Sequence, residues 1–315
     1  MLIMKKFVLG IDIGGTKTKI GLVSLSGKVF YRTYLSTRSY VLRRERLITA
    51  LVKSGEQLLR DTNITRKDIY GLGIGLPGPI NYAQGIVNFL PNIPHWKNTP
   101  LKRIMQKKLR IPTFIDNDVN LITLAEWKFG AGKGAKNILC MTLGTGVGGG
   151  LIIDGNIYRG ANFSAGEVGH IPLNESGPRC NCGGIACLER YVGNNAIINL
   201  AKRIFGKENI TLEELSARAN REKDKRAISL WREVGRKVGI ALAGVVNVLN
   251  PERIIIGGGV ANAGKYLFES VRATVRQRAM PTQRAVVKIT PAKLADDAGL
   301  IGAMLLVKEG LRLKE

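Results

Sequence analysis

One order of strands and turns occurs twice in this chain, and that duplication limits the possible folds more than composition does. Residues 7–13 are an apolar strand that turns at Gly14-Gly15; a second strand follows at 18–23, then a Ser26-Gly27 hairpin turn and a third strand at 29–35. The order restarts at residue 138: a strand at 138–143, a glycine turn at 144–150, a strand at 150–153, the turn Asp154-Gly155-Asn156, and a strand at 157–158. The repeat predicts an α/β protein of two similar domains facing one another across a cleft. Length agrees, because 315 residues exceed what one core usually supports. The expected division is a small N-terminal α/β domain at 1–117 and a large α/β domain at 118–299 with an insert near 167–189. A final helix at about 300–315 should pack back on the first domain.

The remaining segments fit that plan. A helix carries Ile48, Leu51, Val52, Leu58 and Leu59 at three-and-four spacing, and a strand at 69–74 ends in Leu76-Pro77-Gly78-Pro79. A basic helix at 100–109 and a short strand at 113–115 lead to Asp116-Asn117-Asp118, which caps a helix reaching Phe129. After the insert, helices are expected from Gly193, from Thr211 (with Glu214 as a capping box) and from Asp224 to Leu249. A strand at 253–256, the turn Gly257-Gly258-Gly259, a helix from Gly264, a strand at 286–290 and a helix from Asp297 complete the chain.

Charge excludes little by itself. Lys and Arg total 48 against 24 acidic residues, giving +24. The basic residues are spread over helix faces, as from Lys102-Arg103 to Lys107-Lys108, with no aromatic interleaving and no basic tail. That pattern predicts a solvated surface rather than a nucleic-acid partner. The longest uncharged run, from Asn137 to Ile153, holds five glycines between Gly144 and Gly150 and reads as a strand pair, so no membrane partner is expected. Asp12 interrupts the first apolar run, so no secretory signal is expected, and the cysteine usage predicts a reducing cytoplasm.

Three of the four cysteines and one of the two histidines lie between Ser164 and Glu189. Cys180, Cys182 and Cys187, with His170 ten residues upstream of Cys180, offer the four ligands of a closed tetrahedral zinc site, and Gly183-Gly184 let the backbone curl around an ion. The bland alternative is three buried thiols and a core histidine. Glu167 and Glu189 flank the ligands, so a metal here would fix two carboxylates suited to a polyhydroxylated ligand.

Other turns suit phosphates. In Asp12-Ile13-Gly14-Gly15-Thr16-Lys17 the glycines let backbone amides approach an anion, and Asp12 can hold a hydrated magnesium ion. Gly144-Thr145-Gly146 is the matching turn of the second repeat. The run from Gly144 to Gly149 also matches a dinucleotide fingerprint, but strand follows where that fingerprint needs a helix. Gly130-Ala131-Gly132-Lys133 only resembles a Walker loop in composition. Gly257-Gly258-Gly259 offers a flat platform for a nucleobase or ribose, and together these turns point to ATP. At the strand-to-helix junction, one of Asp116, Asn117 and Asp118 suffices as a cap. A further carboxylate there can accept a hydroxyl proton during attack on a phosphoryl group.

Taken together, DIGGTK at 12–17, GIGLPG at 73–78, Asn117-Asp118, residues 143–150, EVGH at 167–170, the cysteine loop at 180–189 and NPERIIIGGG at 250–259 resemble the ROK family of sugar kinases and sugar-responsive repressors. That family lies within the actin/hexokinase-like ATPase superfamily, whose domains are ribonuclease H-like. The resemblance implies Asp118 as catalytic base. It implies Asn117, Glu167, His170 and Glu189 as partners of sugar hydroxyls, His170 using one ring nitrogen for zinc and the other for sugar. It differs at Ala186 and at His95, where the family usually has glycine. The implied activity is ATP-dependent phosphorylation of the glucose 6-hydroxyl by a homodimer or homotetramer. Fructose, mannose, allose, N-acetylmannosamine or N-acetylglucosamine as the sugar, and polyphosphate as the donor, stay open. Family repressors usually carry a helix-turn-helix of several dozen residues before the first glycine turn, and only eleven residues precede Asp12 here, so a repressor is the less expected reading.

Overall fold

The computed structural model describes residues 5–40, 43–90 and 95–313; residues 1–4 of the expected first domain and 314–315 of the expected final helix lie outside the described residues. In chain order the elements are β1 (Phe7–Ile13), β2 (Lys17–Ser24), β3 (Val29–Ser36), α1 (Arg44–Asp61), β4 (Ile69–Leu76), β5 (Ile80–Asn81), β6 (Ile86–Val87), α2 (Leu101–Leu109), β7 (Thr113–Asn117) and α3 (Asp118–Phe129). Then come β8 (Ile138–Leu143), β9 (Val147–Ile153), β10 (Asn156–Tyr158), α4 (Glu189–Val192), α5 (Asn194–Phe205), α6 (Leu212–Asn220) and α7 (Lys225–Leu249). Last are β11 (Arg253–Gly257), α8 (Lys265–Arg278), α9 (Pro281–Val286), β12 (Lys288–Pro291) and α10 (Ala298–Gly310).

The repeat is visible in the sheets. One has the order β3-β2-β1-β4-β7 and the other β10-β9-β8-β11-β12. In each, the first three strands of the repeat pair antiparallel and the next two add in parallel. The Asp154-Gly155 turn has positive φ at both residues, as a two-residue hairpin with right-handed strand twist requires.

Contacts divide the chain into two compact units, Met1–Gly130 with Arg159–Ala165 and Asp296–Glu315, and Ala131–Tyr158 with Gly166–Ala295. This differs from a boundary at residue 117: α3 goes with the first unit because it packs on α10, the Gly302 backbone lying against the Leu121 carbonyl. In the first unit α10 is buried on all sides from Ala298 to Val307, between the sheet and α3. Gly73 on β4 allows this, since a Cβ there would run into the Ala303 carbonyl. Gly73→Ala should cost roughly 1–3 kcal/mol through overpacking, read as a lower denaturant midpoint. An unchanged midpoint would show that α10 can slide. Leu47, Leu51, Leu101, Met105 and Leu109 of α1 and α2 form a separate core with Leu9, Ile11 and Leu72 of the sheet.

The second unit has its own core of Leu139, Met141, Trp231, Val238, Leu242, Ile254 and Ile256, with α7 packed along α8. Two sequence expectations change here. Residues 281–286 are helix α9, so the last strand starts at Lys288. Thr211 does cap α6, accepting from Glu214 N–H at 3.1 Å, but no capping box forms: the Glu214 carboxylate is taken by Lys207 and Arg218.

Candidate active site

In the first unit the candidate residues collect at the C-terminal edge of the sheet. Asp12 on β1 is in register with Gly75 on β4, and Gly75 with Asp116 on β7, so these three form one row. β7 runs two residues further than expected, which puts Asp116 inside the strand and Asn117 at its end. Asn117 is the cap of α3: its Oδ1 accepts from Val119 N–H at 2.9 Å and Asn120 N–H at 3.4 Å, and its Nδ2 donates to the Gly78 carbonyl at 3.2 Å. Asp118 is then the first helical residue, with Oδ1 accepting from Val119 N–H at 3.0 Å. The capping role therefore belongs to Asn117 and does not account for the carboxylate at 118.

The Gly14 N–H donates to the Lys17 carbonyl at 3.1 Å, closing a turn that leaves Gly15, Thr16 and Lys17 exposed. A Cβ on Gly14 would lie 2.8 Å from that carbonyl oxygen, so the turn requires glycine. The Lys17 ammonium sits 3.3 Å from the centroid of the Tyr34 ring. Burial pushes the Asp12 carboxyl above its ordinary pKa, while Lys19, at 3.9 Å, pulls it down.

In the second unit the other two glycine turns come together. Gly258 has a φ of 85° and its backbone lies against the Leu143 carbonyl, leaving no room for a side chain. Gly257-Gly258-Gly259 thus adjoins Gly144-Thr145-Gly146 at the C-terminal ends of the parallel strands β8 and β11. Ligands of open α/β sheets bind at such strand ends. Glu189 reaches the same place, its Oε2 accepting from Val147 N–H at 2.9 Å, and the Gly144 carbonyl accepts from Asn194 N–H at 2.9 Å. Glu167 and His170 pack by way of Gly166 and Gly169 against β9.

His170, Cys180, Cys182 and Cys187 present ligand atoms that all lie within 4.8 Å of one another. His170 Nδ1 is 3.7 Å from Cys180 Sγ, and Cys182 Sγ is 3.7 Å from Cys187 Sγ. A tetrahedron with metal–sulfur bonds of about 2.3 Å has edges of about 3.8 Å, so this donor set fits a thiolate-bound metal ion. His170 Nε2 points instead towards Glu167, 3.8 Å from its Oε2. The Gly184 N–H donated to Cys182 holds that thiol below its usual pKa, whereas burial and the neighbouring thiols push Cys187 up to about 12. Ala186 and His95 have φ of 53° and 68°. This left-handed conformation is the physical reason glycine suits those positions.

Sequence reasoning missed a charge network in the first unit. Asp116, only 1% exposed, accepts from Arg159 Nε at 2.8 Å; the same guanidinium donates to both Glu309 oxygens at 3.0 Å and lies 3.7 Å over the Tyr82 ring. Burial works against both charges. It raises the Asp116 pKa, but Asp116 and Glu309 together hold Arg159 above its ordinary range. One signal existed: Arg159 is the sole charged residue between Asp154 and Glu167.

The motifs, the paired sheets and the thiol cluster coincide with a known family, since the ROK family model matches residues 8–310. The chain belongs to the ROK family. Its two α/β units accordingly have the duplicated actin-like ATPase fold of ROK kinases. This ROK chain is 34% identical to a glucokinase of Thermotoga maritima, over 96% of the chain and 97% of that protein. It is also 33% identical to a xylose repressor of Caldicellulosiruptor bescii, over 95% of the chain and 77% of the repressor. A crystal structure of a ROK glucokinase from Streptomyces griseus, in complex with glucose and AMPPNP, superposes with a TM-score of 0.84 at 30% identity, covering 96% of this chain and all of that one (100%). Among the described residues, no helix is long and apolar enough to cross a membrane.

Proposed function

We propose that this ROK chain is an ATP-dependent hexose kinase, with glucose as the preferred sugar and its 6-hydroxyl as the acceptor. The observation that carries this reading is the carboxylate of Asp118 at the mouth of β7, beside an Asn117 that already supplies the helix cap. Asp118 accepts the hydroxyl proton as that oxygen attacks the γ-phosphorus, and the phosphorus–oxygen bond to the leaving ADP breaks. In a loose transition state little proton removal is needed early, so orienting the hydroxyl is the main task. Asn117, Glu167, His170 and Glu189 hold the remaining hydroxyls, and a sugar lacking one of them leaves its partner unpaired, which is the basis for discrimination.

Backbone amides of Gly15, Thr16 and Lys17 and of Thr145 and Gly146 bind the phosphates in turns that Gly14 N–H and Gly144 N–H close onto the Lys17 and Gly146 carbonyls, and Gly257-Gly258-Gly259 supports the nucleoside. A magnesium ion would neutralise phosphate charge when held through Asp12. His170, Cys180, Cys182 and Cys187 would hold zinc, which stiffens the loop that carries the sugar-binding acids. A sugar-sensing repressor is the competing reading, favoured by the likeness to the xylose repressor. A coupled assay with ATP and magnesium over glucose, mannose, fructose, allose and the two N-acetylated hexosamines tests the proposal. Glucose should give the highest kcat/KM. Sugar binding without turnover on any of them would favour the repressor.

A further inference from the structure

We propose that Arg159 is a positioning residue for phosphoryl transfer, holding the Asn117-Asp118 junction in place through the buried Asp116 carboxylate. The proposal rests on the kinase reading above and adds to it a residue from a distant part of the chain.

Asp116 is buried near the end of β7. Its Oδ1 accepts from Asn117 N–H at 2.7 Å and from Asn120 Nδ2 at 3.0 Å, so one oxygen ties the end of β7 to the first turn of α3. Asp118 lies between those two donors. The orientation of the Asp116 carboxylate therefore sets the backbone that carries Asp118. Its other oxygen, Oδ2, takes Arg159 Nε. Arg159 has little freedom of its own. Two further nitrogens fork onto Glu309 of α10, and Tyr82 covers one face of the guanidinium. Only a planar, five-donor cation can make these contacts at once; a lysine ammonium cannot.

A purely structural ion pair is the alternative, but buried pairs are weak contributors to net stability. The location also argues for more. Arg159 opens the seven-residue stretch Arg159–Ala165, which belongs to the first unit while the chain on both sides belongs to the second. Ala165 N–H donates back to the Arg159 carbonyl at 3.0 Å, closing that stretch, and Glu167 follows two residues later. One side chain thus anchors both the base and the segment that feeds the sugar-binding EVGH motif.

The test uses the full chain with Asp118 intact, comparing Arg159→Gln, Arg159→Lys, Asp116→Asn and the double variant Asp116→Asn/Arg159→Gln. Steady-state kinetics and glucose affinity by tryptophan fluorescence are measured well below each variant's Tm. A misplacement on the order of 1 Å can cost 10²-fold in rate, so kcat should fall at least about 30-fold in Arg159→Gln. Glucose affinity, to which Asn117 and Glu167 contribute, should fall by a clearly smaller factor than kcat, and Arg159→Lys should not rescue. The double variant should lose no more than the worse of the single Asp116→Asn and Arg159→Gln variants, because both remove the same linkage. A folded Arg159→Lys with kcat within threefold of the parent overturns the proposal, as do additive losses in the double variant. Should Arg159→Gln fail to fold, Arg159→Lys alone decides. A parent inactive on every hexose defeats the kinase reading itself; an active parent with an indifferent Arg159 defeats only this inference.

Discussion

Asp118→Asn should lower kcat for hexose phosphorylation by about 10²–10⁴-fold, the usual contribution of a positioned general base, while glucose binding stays within a few fold. The substitution is nearly isosteric and removes only the charge and the ability to take a proton. It should not disturb α3, because Asn117 is the cap and the amide oxygen of the new residue can still accept from Val119 N–H. Losing a carboxylate in the first helical turn costs about 0.3–1 kcal/mol, so the Tm should hardly move. A large kinetic loss with small changes in Tm and Kd is thus the signature of chemistry. Near-normal turnover would remove Asp118 from the reaction and leave Asn117 and Asp118 as a helix start and nothing more.

Loss of the metal should be the next largest effect. The purified chain is expected to contain one zinc per molecule by elemental analysis, and Cys182→Ala or Cys187→Ala should abolish it. Sugar affinity should then fall by about 10²-fold, the upper range for disturbing a metal's supporting groups. Residues 174–179 and 181–185 of the loop are exposed, so its tip has no packed core and relies on backbone bonds such as Cys180 N–H to the Gly184 carbonyl and Ala186 N–H to the Pro178 carbonyl. Glu189 has its own anchor in Val147 N–H, so the loss should come chiefly from Glu167 and His170. Without metal, Cys187 titrates near 12 and is protonated at neutral pH. Metal must displace that proton, so zinc retention should weaken as pH falls. Unchanged glucose affinity in a metal-free variant would separate the thiol cluster from sugar binding.

Much of this site could be read along the chain because its parts are local. Glycine turns, the Asn117-Asp118 junction and the C-x-C-x4-C loop are each short strings whose backbone demands leave a mark in sequence. Gly73 shows where that reading thins out. The motif is plain, but its reason is the passage of α10 over β4, a helix more than two hundred residues later.

The amino-acid order alone determined the duplicated strand plan, the candidate metal-ligand set and the strand-end position of the proposed base, since hydrophobic period and turn chemistry act between near neighbours. Only the tertiary structure decided that Asn117 rather than an aspartate caps α3, that Glu189 braces the glycine turn, and that Asp116 belongs to Arg159 and Glu309. The physical reason is the same in each case. A buried charge must find a partner wherever the fold brings one close, and a pairing across 43 or 150 residues leaves no periodic trace in the chain.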